Sequence, residues 1–313
     1  MRIAIVWNPS KTDKEPLETA FADALDGMLT ADVRWFETTE HDPGRGAATR
    51  ALEAPTDVLI VAGGDGTVRA VAEYLAESMA EVELAIIPLG TGNLFARNLD
   101  VPIDDARAAF RRALEGEGRP VDVGWIEVTT EGGTERHGFV VMVGFGLDAQ
   151  MIAETDEQLK DRAGWIAYVE SLGRAISGSD VLSFGVAADG REPWIEKGHT
   201  LLVGNCGTLQ GGLKIMPDAD PSDGELDFLV LSAEGLAQWL STVKTMVWDD
   251  GLKRLMSTTQ KTAESSSESL QRGRAEKLAV TLPSPRLLEV DGEELGETRE
   301  FTVTVQPSAI TVR

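Results

Sequence analysis

Three glycines surround an aspartate in Gly63-Gly64-Asp65-Gly66-Thr67, directly after the apolar segment 57–62. Because glycine has no Cβ, backbone N–H groups here can come close to an anionic group, and a helix that begins here adds a favourable dipole. Asp65 would repel that anion unless it orients a metal ion or hydrogen-bonds a ribose or a backbone group. The segment predicts a phosphate-binding turn, and a plain strand-to-helix turn is the alternative.

A second glycine turn, Pro88-Leu89-Gly90-Thr91-Gly92-Asn93, follows the next apolar segment, 83–87. Open α/β sheets bind ligands at the carboxyl ends of their strands, so two such turns favour a nucleotide site more than either does alone. The pattern G-x-x-x-x-G-K-[ST] does not occur in the sequence, which excludes a P-loop.

Two acidic segments lie in the second half of the chain. Residues 217–225 carry four carboxylates, which could hold a hard divalent cation through oxygen ligands, although their spacing does not match an EF-hand loop. A solvated turn is the alternative. Asp291-Gly292 stands between two apolar runs and predicts a hairpin turn.

The elements that position these residues follow two patterns. Over 1–122, strand-like apolar runs alternate with segments of helical spacing, which predicts a doubly wound parallel α/β domain with the glycine turns at the carboxyl ends of its strands. Over 123–295, β-rich segments joined by turn residues predict an antiparallel β-sandwich. Two helical patches, 150–177 and 235–256, interrupt it, and the Ser-rich segment 258–269 predicts a loop.

Composition excludes several classes of protein. The 313 residues include 52 acidic and 29 basic ones, a net charge of -23, which argues against nucleic acid as a partner. Cys206 is the single cysteine, so no disulfide framework exists and a reducing cytosol is indicated. No uncharged apolar run approaches the roughly 18–20 residues that span a bilayer. We therefore expect a cytoplasmic protein without a transmembrane segment.

The order of the motifs resembles the diacylglycerol kinase catalytic family, in particular the soluble bacterial lipid kinases, within the superfamily shared with NAD kinases. The resemblance runs essentially end to end. It rests on IVWNPS (5–10), VAGGDGT (61–67), IIPLGTGNLFAR (86–97), VGFGLDA (143–149), KIMPDADPSDGELD (214–227) and EVDGE (289–293). The GGDGT motif is common to the superfamily, whereas the later motifs in this order are specific to the lipid-kinase branch.

The resemblance implies transfer of the γ-phosphoryl group of ATP, with Mg²⁺, to a lipid hydroxyl, diacylglycerol by default. It implies an α/β domain to which a last strand, roughly 296–313, returns. The ATP-binding residues it implies are Asn8, Thr39, Gly63, Gly64, Asp65, Gly66, Thr67, Gly90 and Thr91. Asp291 and Glu293 match the acidic pair that activates the lipid hydroxyl. Asp220, Asp223 and Glu225 match a structural magnesium site.

Three places depart from the family pattern. Ser10-Lys11-Thr12 replaces a small glycine-containing turn, Val68-Arg69-Ala70 replaces Leu-Asn-Glu after GGDGT, and Leu94 replaces an aspartate after GTGN. The first departure affects the residues expected to contact phosphate, and the other two affect which lipid is the acceptor.

The expected partner is a lipid substrate at the membrane surface, with the protein peripheral at the inner face; a homodimer is left open. An anionic protein needs a local basic patch to dock on an anionic leaflet. The candidates for that patch are Arg97, Arg111, Arg112, Lys160, Arg162 and Lys214. Two other functions are alternatives: an NAD kinase, and an inactive module that binds nucleotide or lipid.

Overall fold

The computed structural model describes residues 1–25, 32–130, 133–146, 181–209, 212, 214–231 and 270–313. The helices expected over 150–177 and 235–256, the loop expected over 258–269, and the two basic residues Lys160 and Arg162 lie outside these residues. Among the helices that are described, none has the length and apolar character needed to cross a bilayer.

The first part of the chain is a parallel sheet with helices. Its strands are β1 (Arg2–Trp7), β2 (Asp32–Glu37), β3 (Val58–Gly63) and β4 (Glu83–Pro88), in the order β4-β3-β1-β2. Its helices are α1 (Lys14–Leu25), α2 (Arg45–Leu52), α3 (Asp65–Ser78), α4 (Leu94–Asn98) and α5 (Ala106–Glu115). Neighbouring strands pair in parallel, so the turns after them share one edge of the sheet.

Burial explains why these segments form their elements. All six residues of β3 are buried, which fits its unbroken apolar sequence. In α3, the buried residues Val68, Val71, Ala72 and Leu75 recur at helical spacing and form one apolar face. The sheet and its helices share one hydrophobic cluster.

The rest of the described chain is mostly antiparallel. Its strands are β5 (Arg119–Thr130), β6 (Gly133–Phe139), β7 (Met142–Phe145), β8 (Leu182–Ala188), β9 (Trp194–Gly198), β10 (Thr200–Gly204), β11 (Leu226–Leu231), β12 (Leu270–Ala275), β13 (Lys277–Val290) and β14 (Glu293–Val312). The sheet branches, because β13 pairs with β14, β7 and β8. Both branches contribute side chains to a second hydrophobic cluster. The predicted fold class, a parallel α/β part followed by an antiparallel β part, is confirmed.

The long strand β14 joins the two parts. It pairs antiparallel with β13 and β5, and near its end Thr311 and Val312 pair in parallel with Glu83 and Leu84 of β4. Backbone hydrogen bonding is therefore continuous from one part to the other. The division into domains at residue 122 stays a prediction, and β5 runs across that position.

Several strand predictions need correction. The β-rich segment 137–146 has the sequence of one continuous strand, but it is broken at Val140 and Val141, whose N–H groups donate to the side chain of Asp291 instead of to a neighbouring strand. The segments around 277–282 and 286–290 form one strand with a register shift between Thr281 and Arg286. Strands β9 and β12 were not predicted, because neither has an alternating apolar pattern.

Candidate active site

The two glycine turns lie in contact. They follow β3 and β4, which are neighbours in the sheet. A Cβ atom built on Gly90 would lie 2.8 Å from the Cα of Gly64 and 2.9 Å from the Oδ1 of Asn93. Real Cβ atoms do not come so close to backbone, so this approach requires glycine. The turns predicted separately therefore form one surface.

Asp65 fastens these turns to each other. Its Oδ2 accepts a 2.8 Å hydrogen bond from the N–H of Asn93, and its Oδ1 accepts a 2.6 Å bond from the N–H of Leu94. Asn93 is in the left-handed region, with φ of 49°, and its side chain bonds both the N–H and the C=O of Gly90. Of the three roles open to Asp65, the structure shows the hydrogen bond to backbone groups.

The turn after β1 meets the first glycine turn. The Asn8 Nδ2 donates to the Oγ1 of Thr67 at 3.2 Å. A Cβ atom built on Gly64 would lie 3.6 Å from the Cε of Lys11, so this lysine side chain passes beside the glycines. From the sequence, Lys11 was noted only within a departure from the family pattern and not as a site residue. The available signal was a lysine in the turn that follows the first strand, three residues after Asn8.

Thr39 lies in a different turn from the two glycine turns. It follows β2, the strand at the edge of the parallel part, and is exposed. Its N–H donates to the C=O of Asp42 at 3.0 Å, and its Oγ1 accepts from the Asp42 N–H at 3.1 Å. The threonine thus lies at the same edge of the sheet as the glycine turns, but it bonds within its own turn. Thr91 is exposed in the second glycine turn.

Asp291 is at the tip of the predicted hairpin. Asp291 and Gly292, with φ of 47° and 86°, form a two-residue turn between β13 and β14, which confirms the turn prediction. The Asp291 Oδ2 accepts a 2.9 Å bond from the N–H of Val140, and its Oδ1 accepts bonds from Val141 at 2.9 Å and Met142 at 2.8 Å. The carboxylate thus accepts hydrogen bonds from three backbone N–H groups at the break between β6 and β7. These N–H groups belong to residues more than a hundred positions away from Asp291 in the sequence.

Burial alters the titration of this carboxyl group. Asp291 is only 8% exposed, and its burial raises the pKa to about 6, although the three backbone hydrogen bonds and the charge of Arg69 act to lower it. Cys206 lies in the same region. Burial and the Asp291 charge raise the pKa of the Cys206 thiol, so it stays protonated.

Glu293 brings the hairpin to the glycine turns. Its carboxylate pairs with the guanidinium of Arg69 on α3. A Cβ atom on Gly66 would collide with the Glu293 Oε1, so this carboxylate lies against the start of α3. The hairpin that carries Asp291 and Glu293 therefore lies against the first glycine turn through Glu293. The sequence analysis noted Arg69 as a departure from the family but did not find this contact.

The acidic loop 217–225 carries its own counter-charge. The Nη1 of Arg274 lies 3.3 Å from the Oδ2 of Asp223 and 3.5 Å from the Oε2 of Glu225, and the arginine Nε lies 3.5 Å from the Oδ1 of Asp227. Within the described ranges, no three acidic, histidine or cysteine side chains are arranged to hold a metal ion. In this arrangement the carboxylates pair with Arg274 and do not fit a metal ion. The metal role of Asp220, Asp223 and Glu225 stays a prediction.

Asp122, which the sequence analysis missed, ties this loop to the sheet. It is 1% exposed. Its Oδ2 accepts a 2.7 Å bond from the N–H of Gly224, and its Oδ1 accepts a 2.6 Å bond from the N–H of Ser308. The available signal was a carboxylate between two valines, Val121 and Val123, in the apolar run of β5.

Two arginines proposed for a membrane patch are used within the fold. The Arg97 Nε donates to the C=O of Gly92 at 2.7 Å and so supports the second glycine turn. The Arg112 guanidinium donates to the C=O groups of Leu99 and Asp100, each at 2.7 Å. Lys214 is exposed.

Comparison with known proteins agrees with this arrangement. The diacylglycerol kinase catalytic domain family matches residues 2–126, and the YegS C-terminal NAD kinase beta sandwich-like domain family matches residues 141–313. Together these matches contain both glycine turns, the acidic loop and the hairpin at Asp291.

Among solved structures, a diacylglycerol kinase from Bacillus anthracis superimposes with a TM-score of 0.67 at 21% identity, over 99% of this chain and 96% of that one. The yeast NADH kinase gives a TM-score of 0.51 at 10% identity, over 100% of this chain and 82% of that one. At these identities the likeness shows the fold alone.

Two curated relatives have higher sequence identity than these structures. A Pseudomonas aeruginosa protein named "Probable lipid kinase YegS-like" is 30% identical over 99% of this chain and 93% of its own length. A Staphylococcus aureus protein named diacylglycerol kinase is 31% identical over 76% of this chain and 72% of its own. The resemblance stated from the motifs is confirmed. The chain belongs to the diacylglycerol kinase-like family of lipid kinases.

Proposed function

We propose that this protein transfers the γ-phosphoryl group of ATP to a lipid hydroxyl, with diacylglycerol as the first acceptor to test. The observation that carries the proposal is the contact of the Asp291–Glu293 hairpin with the first glycine turn, through Glu293 against Gly66 and Arg69. The hairpin that carries the proton-accepting group is then set against the anion-binding turn, and phosphoryl transfer depends on such positioning.

The donor half of the site is the pair of glycine turns. Phosphoryl transfer depends mainly on positioning and on neutralising charge. The first N–H groups of α3 have no acceptor within the helix and can bind phosphate oxygens. The side chain of Lys11 passes beside Gly64 and can supply a positive charge. MgATP is the expected substrate, and its Mg²⁺ would neutralise charge on the phosphates.

The acceptor half is the acidic hairpin, in which Asp291 is the better general base. Each carboxylate oxygen can accept about two hydrogen bonds. The Oδ1 of Asp291 already accepts two, whereas its Oδ2 accepts one, from Val140. The Oδ2 can therefore take the hydroxyl proton as the lipid oxygen attacks the γ-phosphorus and ADP leaves. The charge of Glu293 is neutralised by Arg69, so Glu293 is better suited to positioning.

A substrate panel tests this proposal. The purified protein is incubated with γ-labelled ATP and Mg²⁺, together with vesicles that contain diacylglycerol, phosphatidylglycerol or a sphingoid base, or with NAD instead of lipid. Label in a lipid product supports the proposal and names the acceptor. Label in NADP alone would replace the proposal with the NAD kinase alternative.

A further inference from the structure

We propose that Arg69 is a positioning residue for phosphoryl transfer, which holds the Glu293 carboxylate on the start of α3 and so sets the acidic hairpin against the glycine turn. This inference rests on the proposed function. Arg69 and Glu293 are 224 residues apart in the sequence, and Arg69 follows the first glycine turn by two residues. Their contact therefore joins the donor half of the site to the acceptor half.

The surroundings of Arg69 fix its guanidinium. The side chain is 13% exposed, and its two terminal nitrogens face two carboxylates, Glu293 and, at 3.7 Å, Glu73. Its Nε is buried and has no hydrogen-bond partner among the described residues. Because the terminal nitrogens are held from both sides, the guanidinium cannot turn away without losing an ion pair.

Glu73 lies near a second arginine besides Arg69, so the two carboxylates depend on Arg69 to different degrees. Arg45 lies 4.0 Å from Glu73 and also pairs with Glu77. The Glu73 carboxylate thus keeps a positive neighbour without Arg69, whereas the ion pair of Glu293 in the described chain is with Arg69 alone. Loss of Arg69 should release Glu293, which is 52% exposed and free to move into solvent.

Arg69 also acts on Asp291 through its charge. It lowers the pKa of Asp291, against the larger effect of burial. The Cys206 thiol lies close enough to feel the Asp291 charge, which raises the pKa of that thiol, so it is protonated and adds no charge of its own. Removing the positive charge should therefore raise the pKa of Asp291. A residue with only a structural role would not move that titration.

The test compares Arg69→Met and Arg69→Lys with the matched control Arg45→Met, which removes an arginine from the same network without touching Glu293. We measure kcat/KM against pH, since its acid limb reports the base of the free enzyme. Arg69→Met should lower the rate and move the acid limb to higher pH. Arg69→Lys, which keeps the charge, should restore the midpoint, and Arg45→Met should leave it unchanged. A midpoint in Arg69→Met equal to that of the wild type would overturn the inference.

A second measurement needs no activity. Tm is determined for Arg69→Met, Glu293→Gln and the double variant. If Arg69 holds Glu293, the double variant loses no more than the worse single one; additive losses would overturn the inference. If the wild type phosphorylates no lipid, the proposed function fails by itself, and this cycle still decides whether the contact exists.

Discussion

Asp65, in the first glycine turn, accepts a 2.8 Å hydrogen bond from the backbone N–H of Asn93, in the second. Its other oxygen accepts from the next N–H, that of Leu94. A carboxylate that would repel phosphate instead accepts hydrogen bonds from two backbone N–H groups and holds two strand ends together. We propose that both turns bind one nucleotide.

Asp65→Asn should weaken ATP binding. An asparagine can accept at one atom only, so one of the two N–H groups loses its partner, at about 1–3 kcal/mol. We expect the Kd for ATP to rise roughly tenfold, since about 1.4 kcal/mol is tenfold in affinity. Asp105→Asn is the control, because Asp105 caps α5 by accepting from the N–H of Ala108. If both variants bind ATP as the wild type does, Asp65 has no part in the nucleotide site.

Activity should depend on pH through Asp291. The raised pKa of about 6 means that the carboxyl is protonated below that pH and cannot accept the hydroxyl proton. We expect kcat/KM to rise with pH, with a midpoint near 6, and to level off above it. A profile measured from pH 5 to 8 checks this. A flat profile across that range would remove Asp291 as the base.

Stability should change with pH in the opposite direction. The pKa of Asp291 lies above its ordinary value of 3.8, so the folded chain binds this proton more tightly than the unfolded chain does. Its contribution to the free energy of unfolding is therefore largest below pH 4 and falls as the pH rises to about 6. The Tm of the wild type minus the Tm of Asp291→Asn should therefore decrease as the pH rises from 4 to 7. A difference that grows instead would contradict the raised pKa.

Gly66→Ala should lower turnover without lowering stability. A methyl group on Gly66 collides with the end of the Glu293 side chain, which can move aside. Alanine also favours a helix over glycine by about 1 kcal/mol. We expect an unchanged or higher Tm and a kcat at least several-fold lower. Gly185→Ala, where a Cβ meets only ordinary contacts at 3.8 Å, is the control and should keep full activity. Full activity in Gly66→Ala would show that the position of Glu293 does not matter.

Mg²⁺ without nucleotide should leave the Tm of the wild type unchanged, because Arg274 already supplies positive charge to Asp223, Glu225 and Asp227. Arg274→Met removes that charge, so its Tm should be lower and should rise when Mg²⁺ is added. Thermal unfolding in EDTA and in Mg²⁺ measures both effects. A rise in the Tm of the wild type itself would support the predicted metal site.

Local patterns were enough to predict most of the strands, the two glycine turns and the Asp-Gly hairpin, because each depends on a few neighbouring residues. The family motifs identified Asp291 and Glu293, but not what they contact. The bonds that Asp291 accepts from Val140 and Glu293 accepts from Arg69 join residues far apart in the chain, and no rule of sequence spacing predicts them. Strand β12 was missed for the same reason, since its pairing with β11, not its own sequence, makes it a strand.

The most direct test of the account is label transfer from γ-labelled ATP to a total lipid extract by the wild type, Asp291→Asn and Asp189→Asn. Asp189 is a matched control, since it too has positive φ at a turn and accepts two backbone N–H bonds, from Glu276 and Lys277. Our account predicts a labelled lipid with the wild type and with Asp189→Asn, and a rate lower by about 10²–10⁴-fold with Asp291→Asn. Equal labelling by all three proteins, or none by the folded, ATP-binding wild type, would contradict it.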